Sequence, residues 1–367
     1  MNVSVGIVGL PNVGKSTLFN ALLKKQQALA ANYPFATIEP NIGIVAVPDL
    51  RLEKLAEITM GEEKMSSLPP IKPATVEFVD IAGVVKGAAE GAGLGNKFLS
   101  HIREVSVICH VVRAFADENI IREGSSDPEN DFATIEMELV LADMQTAQNI
   151  QARQKKFDSP TDKDALNKLV ENLNSGIPVR DIVFTEEEMV FVDNLSFLTA
   201  KPEIVVLNVN EDDYTTANTA AIVERYVDML QISRDRLVVI CAKIESELAA
   251  LDEEEQKQYL ADLGFETSGL ERLIQKAYER LGLISFLTCG EKEVKAWTIE
   301  KGETAPIAAG AIHTDFTKKF IKAEVVSYED FVSNNGWKGS REKGRARLEG
   351  KEYIMADGDV VEFKIGS

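Results

Sequence analysis

The chain has 367 residues, of which 45% are hydrophobic and 27% are charged. This is the usage of a globular protein of about two or three domains, and it excludes a disordered, collagen-like or coiled-coil composition for the whole chain. Forty basic and 59 acidic residues give a net charge of −19, which argues against a protein that coats nucleic acid or an anionic membrane. Residues 280–367 hold 14 residues of each sign, so a contact with nucleic acid is expected at the C-terminal end rather than elsewhere.

The cysteines and the apolar segments bear on the cellular compartment. Cys109, Cys241 and Cys289 are widely spaced and form no C-x-x-C pair, a pattern that indicates neither a disulfide framework nor a zinc site. The first residues lack the features of a signal peptide, and no stretch approaches the ~20 apolar residues needed to span a bilayer. We therefore expect a cytoplasmic protein with no membrane partner.

Short β-rich runs alternate with helical or loop segments along the first two thirds of the chain. The runs cover residues 3–8, 42–47, 75–79, 105–112, 203–207 and 236–241. Strands that alternate with helices are typical of a mostly parallel sheet in an α/β fold.

Two regions depart from this alternation. Residues 131–156 carry apolar residues at helical spacing, and a second helical pattern follows the turn and N-cap signal around Ser159. These patterns predict a helical hairpin inserted into the α/β domain. After residue 281 the pattern changes to short strands at 283–288, 294–299, 321–326, 352–355 and 360–365, which predicts a small, mainly β domain at the C-terminus.

The first strand leads into a glycine-rich loop and a helix. Gly9-Leu-Pro-Asn-Val-Gly-Lys-Ser16 matches G-x-x-x-x-G-K-[ST] in full, in the strand-to-helix context that the motif requires. Its backbone N–H groups can cradle phosphate oxygens, Lys15 can reach the β- and γ-phosphates, and Ser16 can ligate Mg²⁺. The predicted nucleotide-binding residues of this loop are Asn12, Val13, Gly14, Lys15, Ser16 and Thr17.

Two further segments fit a site for a nucleoside triphosphate. Asp80 directly follows an apolar strand and can hold Mg²⁺ through water, while Gly83 frees an N–H group for the γ-phosphate. Thr37 lies between the two motifs, where a switch loop would offer a hydroxyl to the metal. The alternatives are an acidic turn at a strand end and an ordinary loop threonine.

These segments together resemble one known family. Residues 9–16, 32–41 and 80–83, with Gly-Leu-Gly-Asn-Lys-Phe at 93–98, are similar to the Obg-related P-loop NTPases and specifically to the YchF group, also called Obg-like ATPases. The resemblance covers essentially the whole chain, and residues 308–361 resemble a TGS domain, a β-grasp fold shared with threonyl-tRNA synthetases. It implies an α/β P-loop NTPase domain over 1–130 and 200–280, an inserted helical, coiled-coil-like domain over 131–199, and a TGS-like domain over 281–367.

The segment that selects the base departs from the GTPase pattern Asn-Lys-x-Asp. Here a strand runs into Asn208-Val-Asn-Glu211, with Val209 in place of the lysine and a longer carboxylate at Glu211. Asn208 can pair with the edge of adenine, Val209 offers an apolar surface to a base, and Glu211 could still accept from guanine. The resemblance implies a preference for ATP while GTP is still admitted. Cys241 and Ala242 stand where the family has its last base-contacting loop, with a buried strand-end cysteine as the alternative.

The catalytic group is less well defined by the residues. Val84 and Val85 follow Gly83, so no side chain there can orient water by hydrogen bonding, as a glutamine does in many relatives. The family pattern has a histidine where this chain has Arg122, which is a candidate for stabilising γ-phosphate charge or else a solvated loop residue. Asn12 resembles an asparagine that ligates a monovalent cation in related NTPases, which implies that K⁺ serves as a cofactor beside Mg²⁺.

The residues and the resemblance together predict a Mg²⁺-dependent P-loop ATPase that works as a switch, with Lys15, Thr37, Gly83 and Arg122 as catalytic residues and Ser16, Thr37 and Asp80 at the metal. The resemblance implies the ribosome or RNA as partner, and the cationic segment 341–347 is either an RNA contact or a solvated loop. The alternatives are a GTPase of the Obg type and a nucleotide-stabilised ribosome- or RNA-binding module whose hydrolysis is incidental.

Overall fold

A computed structural model describes residues 4–32, 41–81, 93–115, 127–153 and 159–366, with the backbone alone for 26–32 and 93–96. Its internal contacts divide the chain into two compact units, Met1–Val45 with Glu77–Leu273 and Ala46–Val76 with Ile274–Ser367. The separate division into nucleotide-binding, helical and TGS-like domains stays a prediction.

The elements follow one another in a regular order. The strands are β1 (Ser4–Val8), β2 (Ile42–Ala46), β3 (Ile71–Lys72), β4 (Thr75–Asp80), β5 (Val107–Arg113), β6 (Glu203–Asn208), β7 (Leu237–Ile240), β8 (Leu283–Cys289), β9 (Val294–Glu300), β10 (Phe320–Val326), β11 (Arg347–Glu349) and β12 (Val360–Ile365). The helices are α1 (Lys15–Asn32), α2 (Arg51–Glu62), α3 (Gly93–Glu104), α4 (Pro128–Arg153), α5 (Pro160–Asn174), α6 (Glu186–Asp193), α7 (Thr216–Leu230), α8 (Ala242–Leu248), α9 (Glu253–Asp262), α10 (Gly269–Arg280), α11 (Ala305–Ile312), α12 (Thr314–Lys319), α13 (Tyr328–Ser333) and α14 (Trp337–Glu342).

The first unit is built on a sheet with the order β2-β4-β1-β5-β6-β7. The strands from β4 to β7 in this order pair in parallel. Every residue of β1, β6 and β7 is buried, as expected when helices cover both faces of a parallel sheet and its strands are continuous β-branched runs. The predicted α/β fold class is confirmed. The carboxyl ends of these strands form one edge of the sheet, where ligands bind in such folds.

A helical segment interrupts the first unit between β5 and β6. Helix α4 packs on β5 and α5, and a cluster of buried apolar residues joins α4, α5 and α6. Helix α5 begins at the predicted N-cap, because the Ser159 hydroxyl accepts from the N–H of Asp162 and the Asp162 carboxylate accepts in return, a capping box with Pro160 in the first turn.

The second unit contains a mixed sheet with the order β11-β10-β12-β8-β9-β3. Strand β12 pairs in parallel with β8, and β3 pairs in parallel with β9. Helix α11 packs on β9 and β10 over a buried apolar cluster, so the predicted C-terminal β domain is present. One strand prediction was wrong, because residues 352–355 contribute only the bridge between Thr304 and Ile354 and the Tyr353 N–H turns back to the Gly350 carbonyl.

No helix within the described ranges combines the length and apolar character needed to cross a membrane.

Candidate functional site

The glycine-rich loop lies at the carboxyl end of β1 and leads directly into α1. Three of its residues take positive φ angles, 156° at Gly9, 62° at Asn12 and 99° at Gly14. A Cβ atom at Gly14 would also collide with the side-chain amide of Asn208. Glycine is therefore required at residue 14 both by its backbone conformation and by space. Successive N–H groups in such a turn form a concave anion-binding nest at the helix N-terminus.

The side chain of Lys15, the cation of this loop, folds back onto the backbone of the loop. Its Nζ donates to the carbonyl oxygens of Gly9 at 2.8 Å and Leu10 at 2.6 Å. Burial lowers the pKa of Lys15 to about 8, and the nearby Asp80 carboxylate opposes that shift. Ser16 and Thr17 are exposed on the first turn of α1, so their hydroxyls stand free for a phosphate or a metal ion.

Asp80 lies at the carboxyl end of β4, next to the loop. It pairs in register with Ile7 of β1, and its N–H donates to the Asn41 carbonyl at 2.9 Å. Burial raises the pKa of Asp80, and the Lys15 charge opposes the change. The strand pairing thus places the Asp80 carboxylate near Lys15 of the glycine-rich loop.

The donor set at this edge consists of oxygen atoms. Ser16 supplies a hydroxyl and Asp80 a carboxylate, both of them hard ligands of the kind that Mg²⁺ prefers. Among the described residues no group of three or more His, Cys, Asp or Glu side chains could hold a metal ion. Ser16 and Asp80 are therefore the predicted metal ligands within the described residues that could hold Mg²⁺ at this edge.

Asn208 joins three loops at the end of β6. Its side chain is buried; Nδ2 donates to the Val13 carbonyl at 2.9 Å, and Oδ1 accepts from the Ala242 N–H at 2.9 Å. The phosphate loop, the Asn208 segment and the loop before α8 are therefore fixed to one another. These two bonds leave one amide hydrogen and one lone pair of the Asn208 side chain unused.

The remaining predicted base residues differ in their exposure. Val209 is only 2% exposed and packs in an apolar cluster with Leu207 and Ile244, so its side chain offers almost no surface to a base. The exposed Glu211 carboxylate accepts from Lys243 Nζ at 2.7 Å. This bond links residues 208–211 to residues 241–243, the two segments that we call the base loops. Cys241 is buried at the N-cap of α8, and burial raises the pKa of its thiol.

Three predicted residues, Thr37, Gly83 and Arg122, lie outside the described residues. One residue that the sequence analysis missed is Arg113, the last residue of β5, whose guanidinium reaches the Asn12 carbonyl. The one sequence signal is a cation that directly follows the predicted strand run at residues 105–112.

The cationic segment near the C-terminus is largely paired with carboxylates. Arg341 forms hydrogen-bonded ion pairs with Glu324 and Glu362. Arg345 Nε lies 3.7 Å from Asp330 Oδ1, and Arg347 Nε lies 3.4 Å from Glu349 Oε1. This arrangement supports the solvated-loop reading of the segment over a dense RNA contact.

A parallel sheet with this loop after its first strand, a lysine and a serine at the start of α1 and an aspartate at the end of β4 defines a P-loop nucleoside triphosphatase. Two family models match the chain: one described as 50S ribosome-binding GTPase over residues 4–151, and YchF-GTPase_C, described as a protein of unknown function (DUF933), over residues 283–366.

Full-length relatives narrow the class to one family. The chain is 49% identical to the Ribosome-binding ATPase YchF of Bacillus subtilis (strain 168) and 46% identical to that of Escherichia coli O157:H7, in each case over 99% of both chains. The solved structure of the Schizosaccharomyces pombe YchF GTPase has a TM-score of 0.85 and 36% identity, with 99% of this chain and 98% of that chain covered. The chain belongs to the YchF family, which confirms the resemblance noted in the sequence.

Proposed function

We propose that the protein is a cytoplasmic, Mg²⁺-dependent ATPase that works as a nucleotide-controlled switch and binds the ribosome. The observation that carries this proposal is the convergence of Lys15, Ser16 and Asp80 at one edge of the parallel sheet, beside a loop whose turn requires Gly14. Such an edge binds the phosphates of a nucleoside triphosphate. The curated relatives that match the whole chain carry the name Ribosome-binding ATPase YchF, which supports both the reaction and the partner.

The roles of the residues follow from their positions. The loop N–H groups and Lys15 would bind and orient the phosphates, and Ser16 and Asp80 would hold Mg²⁺, with Thr37 as a further hydroxyl ligand. The metal, when bound, would neutralise charge that develops on the β- and γ-phosphates. Gly83 would donate its N–H to the γ-phosphate, and Arg122 would stabilise the charge of that group.

The switch would depend on the γ-phosphate. Contacts of Thr37 and Gly83 with that phosphate would order the segments around them, and hydrolysis would release them. The ribosome would then bind one of the two states more tightly. A nucleotide can shift this equilibrium only as far as its affinities for the two states differ, so ribosome binding in the ATP and ADP forms must be compared directly.

Adenine is favoured by the segment around Asn208. Asn208 keeps one amide hydrogen and one lone pair for the edge of the base, and no lysine at residue 209 covers a guanine ring. Loss of a bidentate contact changes base preference by about 1–3 kcal/mol on the analogy of base readout in nucleic acids. This is enough to invert a preference without excluding the second base.

A GTPase is the second candidate. The exposed Glu211 carboxylate is free to accept from guanine on the side away from Lys243, and the Schizosaccharomyces pombe relative is titled a GTPase. The two candidates share the phosphate site and differ only at the base loops.

Calorimetric titration with ADP and GDP in the presence of Mg²⁺ separates them. We expect tighter binding of ADP, and we expect Asn208→Ala to weaken the binding of both nucleotides because it loosens the phosphate loop. Glu211→Gln should leave ADP binding unchanged in an ATPase and weaken GDP binding in a GTPase. The matched control is Glu224→Gln, because Glu224 is another exposed glutamate, which lies on α7 and pairs with Arg234. Tighter GDP binding by the unaltered protein would overturn the assignment.

The cofactor and the partner need separate assays. If Asn12 holds a monovalent cation, turnover of ATP is faster in K⁺ than in Na⁺ at equal ionic strength, and equal rates remove K⁺ from the proposal. Ribosome binding should differ between ADP and a non-hydrolysable ATP analogue. Equal binding in both states, and without nucleotide, would instead indicate a binding module whose hydrolysis is incidental.

A further inference from the structure

Arg113 occupies the end of the strand that lies between β1 and β6. It pairs in register with Asn208, and the N–H of the next residue, Ala114, donates to the Asn208 carbonyl at 2.9 Å. Arg113 therefore stands beside the residue that already fixes the phosphate loop to the base loops.

The guanidinium of Arg113 is held from two directions. Its Nε donates to the Phe115 carbonyl at 3.2 Å, and its central carbon lies 5.0 Å from the centre of the Phe115 ring. From this position Nη1 donates to the Asn12 carbonyl at 3.4 Å. A planar fork with several N–H groups suits a residue that must join two carbonyl oxygens.

Because the peptide bond is planar, the bond from Arg113 to the Asn12 carbonyl also fixes the direction of the N–H group of the same peptide. In a trans peptide the C=O and N–H bonds point in opposite directions, so a carbonyl that faces Arg113 directs the N–H of Val13 away from it. The next peptide is held in the same way, because Asn208 binds the Val13 carbonyl and the N–H of Gly14 points away. Arg113 and Asn208 thus hold two consecutive peptides of the phosphate loop.

We propose that Arg113 is a positioning residue for phosphate binding, which fixes the Asn12–Val13 peptide so that its N–H is directed at a bound phosphate. The inference deepens the proposed function, on which it rests. A guanidinium on the carbonyl also polarises the peptide and makes its N–H a stronger donor. Residue 209 is valine, where the GTPase pattern has a lysine, so the Asn208 segment offers no cation at residue 209 that could take the place of Arg113.

The test measures binding to the full chain of ADP, GDP and inorganic pyrophosphate by calorimetry. Arg113→Met keeps an unbranched apolar stem and removes the guanidinium, and we expect it to weaken all three ligands by about tenfold, the worth of one charge-assisted hydrogen bond. The ratio of ADP to GDP affinity should not change, because the effect is on the phosphate loop. Arg113→Lys keeps the positive charge, so it should lose a smaller part of the affinity. Some loss is still expected because one ammonium group cannot join both carbonyls.

The matched control is Arg225→Met. Arg225 is an exposed arginine on α7 whose guanidinium carbon lies 5.7 Å from the ring centre of Tyr226, and its replacement should leave all three affinities unchanged. A folded Arg113→Met variant that binds pyrophosphate like the unaltered protein would overturn the proposal. A loss confined to the nucleotides would also overturn it, because it would indicate a contact with the base or ribose.

Hydrogen exchange of the full chain without ligand supplies an independent readout. The amides of Leu10, Asn12, Val13 and Gly14 should exchange faster in Arg113→Met, and unchanged exchange would count against the positioning role. This measurement needs no ligand, so it tests the position of Arg113 even if the unaltered protein binds no nucleotide. In that case the proposed function would be wrong, and the exchange result would still decide the role of Arg113. If Arg113→Met does not fold, Arg113→Lys decides by the same two measurements, and a variant indistinguishable from the unaltered protein overturns the inference.

Discussion

The side-chain amide of Asn208 donates to the backbone carbonyl of Val13 at 2.9 Å, across 195 residues of sequence. The same side chain accepts from the Ala242 N–H, so one buried amide satisfies polar groups of two loops that come from distant parts of the chain. The residues predicted to bind the base and those predicted to bind phosphate are therefore connected through this side chain.

Replacement of Asn208 by alanine tests this connection. The change leaves the Val13 carbonyl and the Ala242 N–H unpaired in a buried setting, which costs about 1–3 kcal/mol for each group that finds no water. We expect a lower free energy of unfolding in urea and at least tenfold weaker binding of both ADP and GDP. Asn194→Ala is the control, because Asn194 is an exposed amide that bonds only its own helix. Normal binding by Asn208→Ala would show that the loops hold their positions without it.

Gly14→Ala probes the same contact from the other side. A Cβ atom at residue 14 would strike the Asn208 amide, and the positive φ of 99° adds backbone strain. We expect nucleotide binding to be lost, as measured by calorimetry. Gly61→Ala is a matched control in α2, where a Cβ atom would meet nothing within 4 Å. It should raise stability by about 0.4–1 kcal/mol and leave binding unchanged, whereas equal effects of the two variants would contradict the argument.

What the sequence could predict was local. The phosphate loop, the capping box at Ser159 and most strands follow from short patterns, because turns, caps and β-branched runs are decided within a few residues. The pairing of β3 with β9 has no such signal, since a two-residue strand carries almost no periodicity. Arg113 was missed for a related reason: a single arginine at a strand end matches no motif, and its role depends on which strands are neighbours.

Acid should destabilise the first unit through Glu203. This carboxylate is fully buried with Arg180, Arg236 and His110, and these groups hold its pKa well below the ordinary value of 4.5 despite burial. A lowered pKa in the folded state adds stability that is present above about pH 4.5 and is lost as the pH falls further. We expect the free energy of unfolding to fall as the pH is lowered below about 4.5.

Glu203→Gln identifies the group responsible for this acid effect. Near pH 7 the variant should lose about 3–5 kcal/mol, because it leaves two buried cations short of a partner, and its stability should fall less steeply in acid. Burial and the Glu203 charge raise the pKa of Glu136, so in the unaltered protein Glu136 acts on the acid dependence in the opposite sense to Glu203. Glu224→Gln, at an exposed ion pair, should change stability by less than about 1 kcal/mol. An equally steep loss in Glu203→Gln would exclude Glu203 as the cause.

Nucleotide binding should take up protons above neutral pH through Lys15. Burial lowers its pKa to about 8 from the ordinary value of 10.5, so about half of the molecules hold a neutral Lys15 at pH 8. A phosphate favours the charged amine and raises the pKa again, so affinity for ADP should fall as the pH rises through 8. Calorimetry at pH 8 in buffers of different ionisation enthalpy should detect about half a proton taken up per ADP. Uptake that persists in Lys15→Met would assign the proton to another group, because that variant has no amine at this position.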